Sequence, residues 1–262
     1  MTTLLIIDPQ NDFHPGGTLA IPTADEDAER TAAFIRDNVD DIDRIVITLD
    51  SHQRIHIAHG LFWRNDAGER PPPFTQITKK DIEEGTWRAV DASKQAAALE
   101  YATKLEARGR FTMCVWPEHC IIGSPGHNVR PVILDAVNHW TEKRMKEVTF
   151  VWKGQHCMTE MYSALRAEVP VDDTQTELLR TLTESSRVVV CGQALSHCVN
   201  FTVRDLVEDY EDYSKDLGSI SILRDCTSVV PGFEETGRTF LADMQAKGVC
   251  VATSTELNSV AQ

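Results

Sequence analysis

The 262-residue chain holds no apolar run approaching the ~20 residues of a helical membrane span, so no such span is expected. The opening Met-Thr-Thr-Leu-Leu-Ile-Ile-Asp lacks a basic n-region and is too short in apolar length for a signal sequence, so no leader is expected either. Positive charge is scarce. There are 26 Lys and Arg against 40 Asp and Glu, a net charge of −14, which argues against nucleic-acid partners and anionic membrane surfaces. Internal repeats are missing, and low complexity is confined to Pro71-Pro72-Pro73. The turn Pro9-Gln10-Asn11-Asp12-Phe13 after the first apolar run has no glycine-rich or serine-rich phosphate cradle, which counts against a nucleotide or flavin site. The seven cysteines are odd in number and scattered, so they read as reduced thiols in a cytoplasmic protein rather than a disulfide framework.

What is present has the rhythm of an α/β protein. Six short β-branched runs recur, at 3–7, 44–49, 148–152, 187–191, 219–223 and 249–253, each nearly continuous in apolar character, as strands buried on both faces are. Helical patterns separate them. One starts at an expected capping box, Thr23-Ala24-Asp25-Glu26, and another near 172–175. A third follows Pro231 and stops at Lys247-Gly248 with a glycine C-cap. The alternation predicts one domain over 1–262, a doubly wound six-stranded parallel sheet with helices on both faces and ligands bound beyond the carboxyl ends of the strands. The interval of about 60–115, with an amphipathic helix near 93–108, is too long for a plain connection and reads as an insertion serving as a lid or an oligomer contact.

The residues closing the strands carry the chemistry. After Val188-Val-Val-Cys191, a glycine turn runs into Cys198 at the first turn of a helix, where free N–H groups and the helix dipole favour a thiolate; a buried, inert thiol is the alternative. Asp8 closes the first strand, either as a turn cap or as a functional carboxylate. Asp50 closes the second and leads into Ser51-His52-Gln53-Arg54-Ile55-His56-Ile57-Ala58-His59, a spacing that suits either a metal ion or a solvated histidine loop. Trp116-Pro117-Glu118-His119 offers a rigidly held imidazole. Lys153 closes the third strand, either as a solvated charge or as a cation aimed at Asp8 and Cys198.

Taken together, Ile-Ile-Asp8-Pro-Gln-Asn-Asp-Phe13, Asp50-Ser-His52 with His56, Trp116-Pro-Glu-His119-Cys, Trp152-Lys153-Gly and Gly192-Gln-Ala-Leu-Ser-His-Cys198 resemble, in order, the isochorismatase-like cysteine hydrolases, and within them the nicotinamidases. The resemblance implies Asp8, Lys153 and Cys198 as a catalytic triad. It implies Asp50, His52 and His119, with His56 in some members, as ligands of zinc, manganese or iron. It further implies a cis Gln193-Ala194 peptide, an oxyanion hole at Ala194 and Cys198, and substrate contacts from Phe13, Trp116, Gln193 and Ala194. The implied reaction is amide hydrolysis, nicotinamide to nicotinate and ammonia in pyridine nucleotide salvage, by a homo-oligomer acting on a small-molecule amide. Ser51 and Gln53 stand where Trp and Pro are usual, and His59 where Ser or Phe is common, which leaves other small amides open as substrates. Vinyl-ether hydrolysis of isochorismate fits less well, because members doing that generally lack the cysteine; a catalytically silent binding domain is the remaining reading.

Overall fold

The β-branched runs assemble, in a computed structural model that describes residues 1–170 and 176–260, into one central sheet, buried on both faces at its centre but partly exposed along the β-branched run at 148–152, which forms an edge. In chain order the strands are β1 (Thr2–Ile7), β2 (Arg44–Asp50), β3 (Trp63–Arg64), β4 (Gln76–Ile77), β5 (Arg88–Ala89), β6 (Met113–Cys114), β7 (Thr149–Lys153), β8 (Arg187–Gly192), β9 (Ile220–Leu223) and β10 (Cys250–Ala252). The α-helices are α1 (Ala24–Asp37), α2 (Lys79–Glu83), α3 (Gln95–Arg108), α4 (Pro131–Arg144), α5 (Thr176–Glu184), α6 (Cys198–Asp212), α7 (Glu234–Lys247) and α8 (Ser254–Val260). Six strands pair in parallel in the order β10-β9-β8-β1-β2-β7.

Alternation along each strand sorts the side chains into two cores. Leu5, Ile7, Val188 and Val190 pack with α5, α6 and α7 on one face, while Leu4, Ile6, Ile45, Ile47 and Val189 pack with α1, α4 and α8 on the other. The chain moves outward from β1 to β2 and β7, then returns to β8 on the opposite side of β1. That reversal opens a crevice beyond the carboxyl ends of β1 and β8, where Asp8 and the turn to Cys198 emerge.

One local expectation changes. Thr23 makes no cap bond; its hydroxyl donates to Ser228 Oγ at 2.8 Å, a tertiary partner that wins over the local one. The helix start expected at 172–175 lies outside the described residues, and α5 begins at Thr176 and buries Leu178 and Leu182. Helix α4 goes unread in the sequence although Pro131 opens it and Ile133, Ala136, Val137 and Trp140 bury one stripe. The expected glycine stop of α7 is present, with Gly248 at φ 98°.

The 60–115 interval folds around its own apolar cluster, in which Trp63, Ile77, Ile82, Tyr101, Leu105 and Val115 meet. Strand β3 pairs with β5 and β4 with β6. The cluster is tied to the strand ends: Trp63 Nε1 donates to Ile57 O at 2.7 Å and Glu160 N donates to the Tyr101 hydroxyl at 3.3 Å. Among the described residues no helix is long and apolar enough to cross a membrane.

Candidate active site

Parallel pairing fixes where the first charged side chains stand. Asp50 and Lys153 are register partners on β2 and β7, so carboxylate and ammonium leave the sheet at one level. Asp8, next along β1, enters the left-handed region at φ 43°, and its N–H bonds Thr48 Oγ1 at 3.0 Å. Thr48 returns its hydroxyl to Asp8 Oδ1 at 2.6 Å. Lys153 Nζ then lies 2.8 Å from Asp8 Oδ2, 3.1 Å from Asp50 Oδ1, 3.0 Å from Met161 O and 3.4 Å from Cys198 Sγ. Asp8, Lys153 and Cys198, far apart in sequence, thus meet at one rim of the sheet.

All three are buried, and burial sets their charge. Desolvation works against the Lys153 ammonium, but Asp50 and Asp8 override it and hold the group well above the ordinary lysine range. For Asp50, burial is likewise overcome, by His52 and Lys153, and its carboxyl sits well below the usual range. Burial raises Asp8 above an ordinary aspartate, only partly offset by Lys153. Cys198 is pushed well up by burial, with Lys153 pulling down and Asp8 and Asp50 pushing further up. Burial and the helix terminus thus act on the sulfur in opposite senses, and Asp8 stands beside it as a carboxylate more basic than usual.

Beside the lysine, imidazoles converge. His119 Nε2 is 3.3 Å from Asp50 Oδ2, and His52 Nε2 is 3.6 Å from both Asp50 Oδ1 and Glu160 Oε1. Carbonyl oxygens only accept hydrogen bonds, so the Nδ1 contacts of His52 with His119 O (3.3 Å), His119 with Pro117 O (2.8 Å) and His59 with Arg54 O (3.4 Å) put the proton on Nδ1. Each of those rings, when neutral, presents a lone pair on Nε2, and one ring nitrogen from each of the three lies within 4.8 Å of the others. His56 differs: its Nδ1 accepts the Ala58 N–H at 3.2 Å, so the neutral ring carries its proton on Nε2. The Nε2 atoms of His52, His56 and His59 and Glu160 Oε2 are buried without a hydrogen-bond partner among the described residues. His52, opposed by burial but drawn by Asp50 and Glu160, is pushed up to about 9, so it binds a proton where carboxylates are in excess. Orphaned donors around surplus negative charge fit a divalent cation: His52, His59 and His119 form one donor group and His52, His56 and Glu160 another, and the ring protons favour the first, with Asp50 beside it.

Cys198, Ala194, Phe13 and Trp116 line a narrow cavity that reaches Asp50 and His119. Gln193 is not on its wall; its amide turns back to Asp27 and Ser228, away from the space a substrate would fill. The Gln193-Ala194 peptide is cis. Neither Ala194 N–H nor Cys198 N–H has a protein acceptor among the described residues. Glu160, Tyr162 and His197, none singled out in the sequence, also line the cavity. Glu160 and Tyr162 sit in the irregular chain after β7, where only a lone acid amid apolar neighbours marked the former. Asp12, read as a turn former, accepts from Cys120 N at 2.6 Å and Thr18 N at 3.1 Å, locking the His119 loop onto the β1 turn.

No protein-family model matches the chain. It is 27% identical over 209 residues to a nicotinamidase of Saccharomyces cerevisiae, covering 79% of this chain and 82% of that one, and 25% identical to a nicotinamidase of Escherichia coli over 78% of this chain and 76% of that one. A solved nicotinamidase/pyrazinamidase of Acinetobacter baumanii superposes with a TM-score of 0.68 at 23% identity, covering 98% of this chain and 97% of that one. A pyrazinamidase of Pyrococcus horikoshii in complex with zinc does so at 0.57 and 19% identity, covering 96% and 98%, and an isochorismatase family protein of Desulfovibrio vulgaris at 0.54 and 16%, covering 99% and 97%. Fold and relatives agree: the chain has the fold of the isochorismatase-like hydrolases and is similar to nicotinamidases across most of its length.

Proposed function

We propose that the protein is a cysteine amidohydrolase that cleaves a small heteroaromatic carboxamide, nicotinamide foremost, to the acid and ammonia. One observation carries this reading: the Lys153 ammonium touches both the Asp8 carboxylate and the Cys198 sulfur, and that sulfur lines a pocket walled by Phe13, Trp116 and Tyr162. Asp8 accepts the Cys198 thiol proton as the sulfur attacks the carbonyl carbon, and Lys153 keeps the growing negative charge compensated. The carbonyl oxygen, now an oxyanion, takes hydrogen bonds from the unengaged N–H groups of Ala194 and Cys198. The intermediate collapses, the C–N bond breaks, and Asp8 returns its proton to the departing ammonia, leaving a thioester on Cys198. Water attacks that thioester as Asp8 removes its proton, the C–S bond breaks, and the thiol is restored with release of the carboxylic acid.

Phe13 and Trp116 supply the apolar walls for the ring. Asp50, His52, His119 and His59 would hold a divalent ion, which would supply Lewis-acid chemistry toward a ring nitrogen, and a donor set rich in imidazole suits zinc. The relatives' names and the zinc-bound pyrazinamidase support this reading. The test is ammonia release from nicotinamide and a panel of small amides, with and without chelator, beside Cys198→Ala. Turnover that survives Cys198→Ala removes the nucleophile, and a panel with no turned-over amide removes the reading.

A further inference from the structure

Gln193 precedes the oxyanion donors yet faces away from the cavity, and its surroundings give it a different task. Its side-chain amide is 2% exposed and fully engaged. Nε2 donates to Asp27 Oδ2 on α1 at 3.0 Å, and Oε1 accepts Ser228 N at 3.2 Å. Its backbone N–H donates to Ile7 O at 2.7 Å, one residue before Asp8. Ser228 holds the turn a second time, its carbonyl accepting Leu195 N at 2.8 Å. Asp27 is itself fixed, since Arg30 donates to Oδ1 at 2.8 Å and, through Nε, to Asp225 O. One buried amide therefore ties the turn bearing Ala194 N–H to helix α1 and to the loop after β9, from behind.

We infer that Asp27 and Gln193 form a positioning pair that aims the oxyanion donors of the 193–198 turn, so that they act on the carbonyl-addition step and not on the reactivity of the thiol. This rests on the proposed amidase reading. Gln193→Leu keeps the bulk but strands the buried Asp27 Oδ2 and the half-buried Ser228 N–H. Gln193→Glu alone sets a second carboxylate against Asp27. The double swap Asp27→Asn with Gln193→Glu rebuilds the same bond with donor and acceptor exchanged, leaving the Arg30 and Ser228 bonds in place.

Removal of an oxyanion donor outright typically costs a hundredfold or more in kcat, so its misaiming predicts a fall of roughly 10- to 100-fold for Gln193→Leu and Gln193→Glu. KM is expected to stay within about threefold, because the turn donors act on the developing oxyanion rather than on ground-state binding. Alkylation of Cys198 by iodoacetamide forms no oxyanion, so its rate is expected to hold within about twofold in each variant, and the double swap is expected to recover most of kcat. The inference is overturned if kcat of Gln193→Leu stays within twofold of the unaltered protein, if alkylation falls in step with kcat, or if the double swap turns over no faster than Gln193→Glu. An unaltered protein that releases no ammonia from any amide removes the amidase reading and this inference with it, whereas turnover insensitive to Gln193 removes the inference alone.

Discussion

Lys153→Met is the most demanding perturbation of this site. Methionine preserves much of the side chain's volume but deletes the only cation within 3.1 Å of both Asp8 and Asp50 among the described residues, leaving two buried carboxylates around an apolar tip. Breaking a buried ion pair by removing one partner costs about 3–5 kcal/mol, a large share of the roughly 5–15 kcal/mol that holds a typical domain. The penalty belongs to ionised carboxylates, so it depends on pH. Losing the lysine raises the folded-state pKa of both acids, Asp8 from an already raised value and Asp50 from a depressed one, so the variant's folded state takes up protons that the unaltered one does not and the gap narrows toward acid pH. Urea unfolding of both proteins at pH 7.5 and pH 5, with chelator present so that no cation substitutes for the ammonium, is expected to show the full gap at the higher pH and a smaller one at the lower. A gap below about 1 kcal/mol at pH 7.5, or one that does not shrink on acidification, refutes the assignment of Lys153 as the counterion of this pair.

Two further outcomes follow from other buried groups. Glu168 is fully buried, and burial, only partly offset by Arg110, pushes it up to about 7 from 4.5. Its folded pKa exceeds its unfolded one, so the native state loses stability as pH rises between those values, and unfolding curves of Glu168→Gln and the unaltered protein are expected to diverge by about 3 kcal/mol from pH 4.5 to pH 8 in the variant's favour. Ring protonation separates His59 from His56. Metal titration of chelator-treated protein is expected to show His59→Gln binding zinc at least about tenfold more weakly and His56→Gln changed far less; the reverse order refutes the tautomer argument.

Much of the site was legible because strand ends are local events: an apolar run closed by Asp8, Asp50 or Lys153 marks a functional rim when the sheet is parallel. Cys198 was visible from the glycine turn and the helix beginning there. What stayed hidden depends on partners distant in sequence. His56 and His59 look alike in the chain, and only Ala58 N and Arg54 O, by fixing opposite ring protons, tell them apart. Gln193 sits in a motif that suggested substrate contact, yet Asp27, on another element, draws its amide to the far side of the turn. Glu160 lies outside any regular element, so no periodicity could place it. Thr23 had a suitable cap sequence and lost it to Ser228.

The strand that delivers Lys153 is the last in the sheet, hydrogen-bonded to β2 on one side, with Phe150 and Trp152 about half exposed. Edges fray before centres do. A slip of one residue along β2 would send the amine to the opposite side of the sheet and bring tryptophan to its place. Warming should therefore pull Lys153 away from Asp8 and Cys198 while the rest of the molecule still gives a native signal, and a bond pinning the β7 margin would hold that cluster together to a higher temperature without touching any group that lines the cavity.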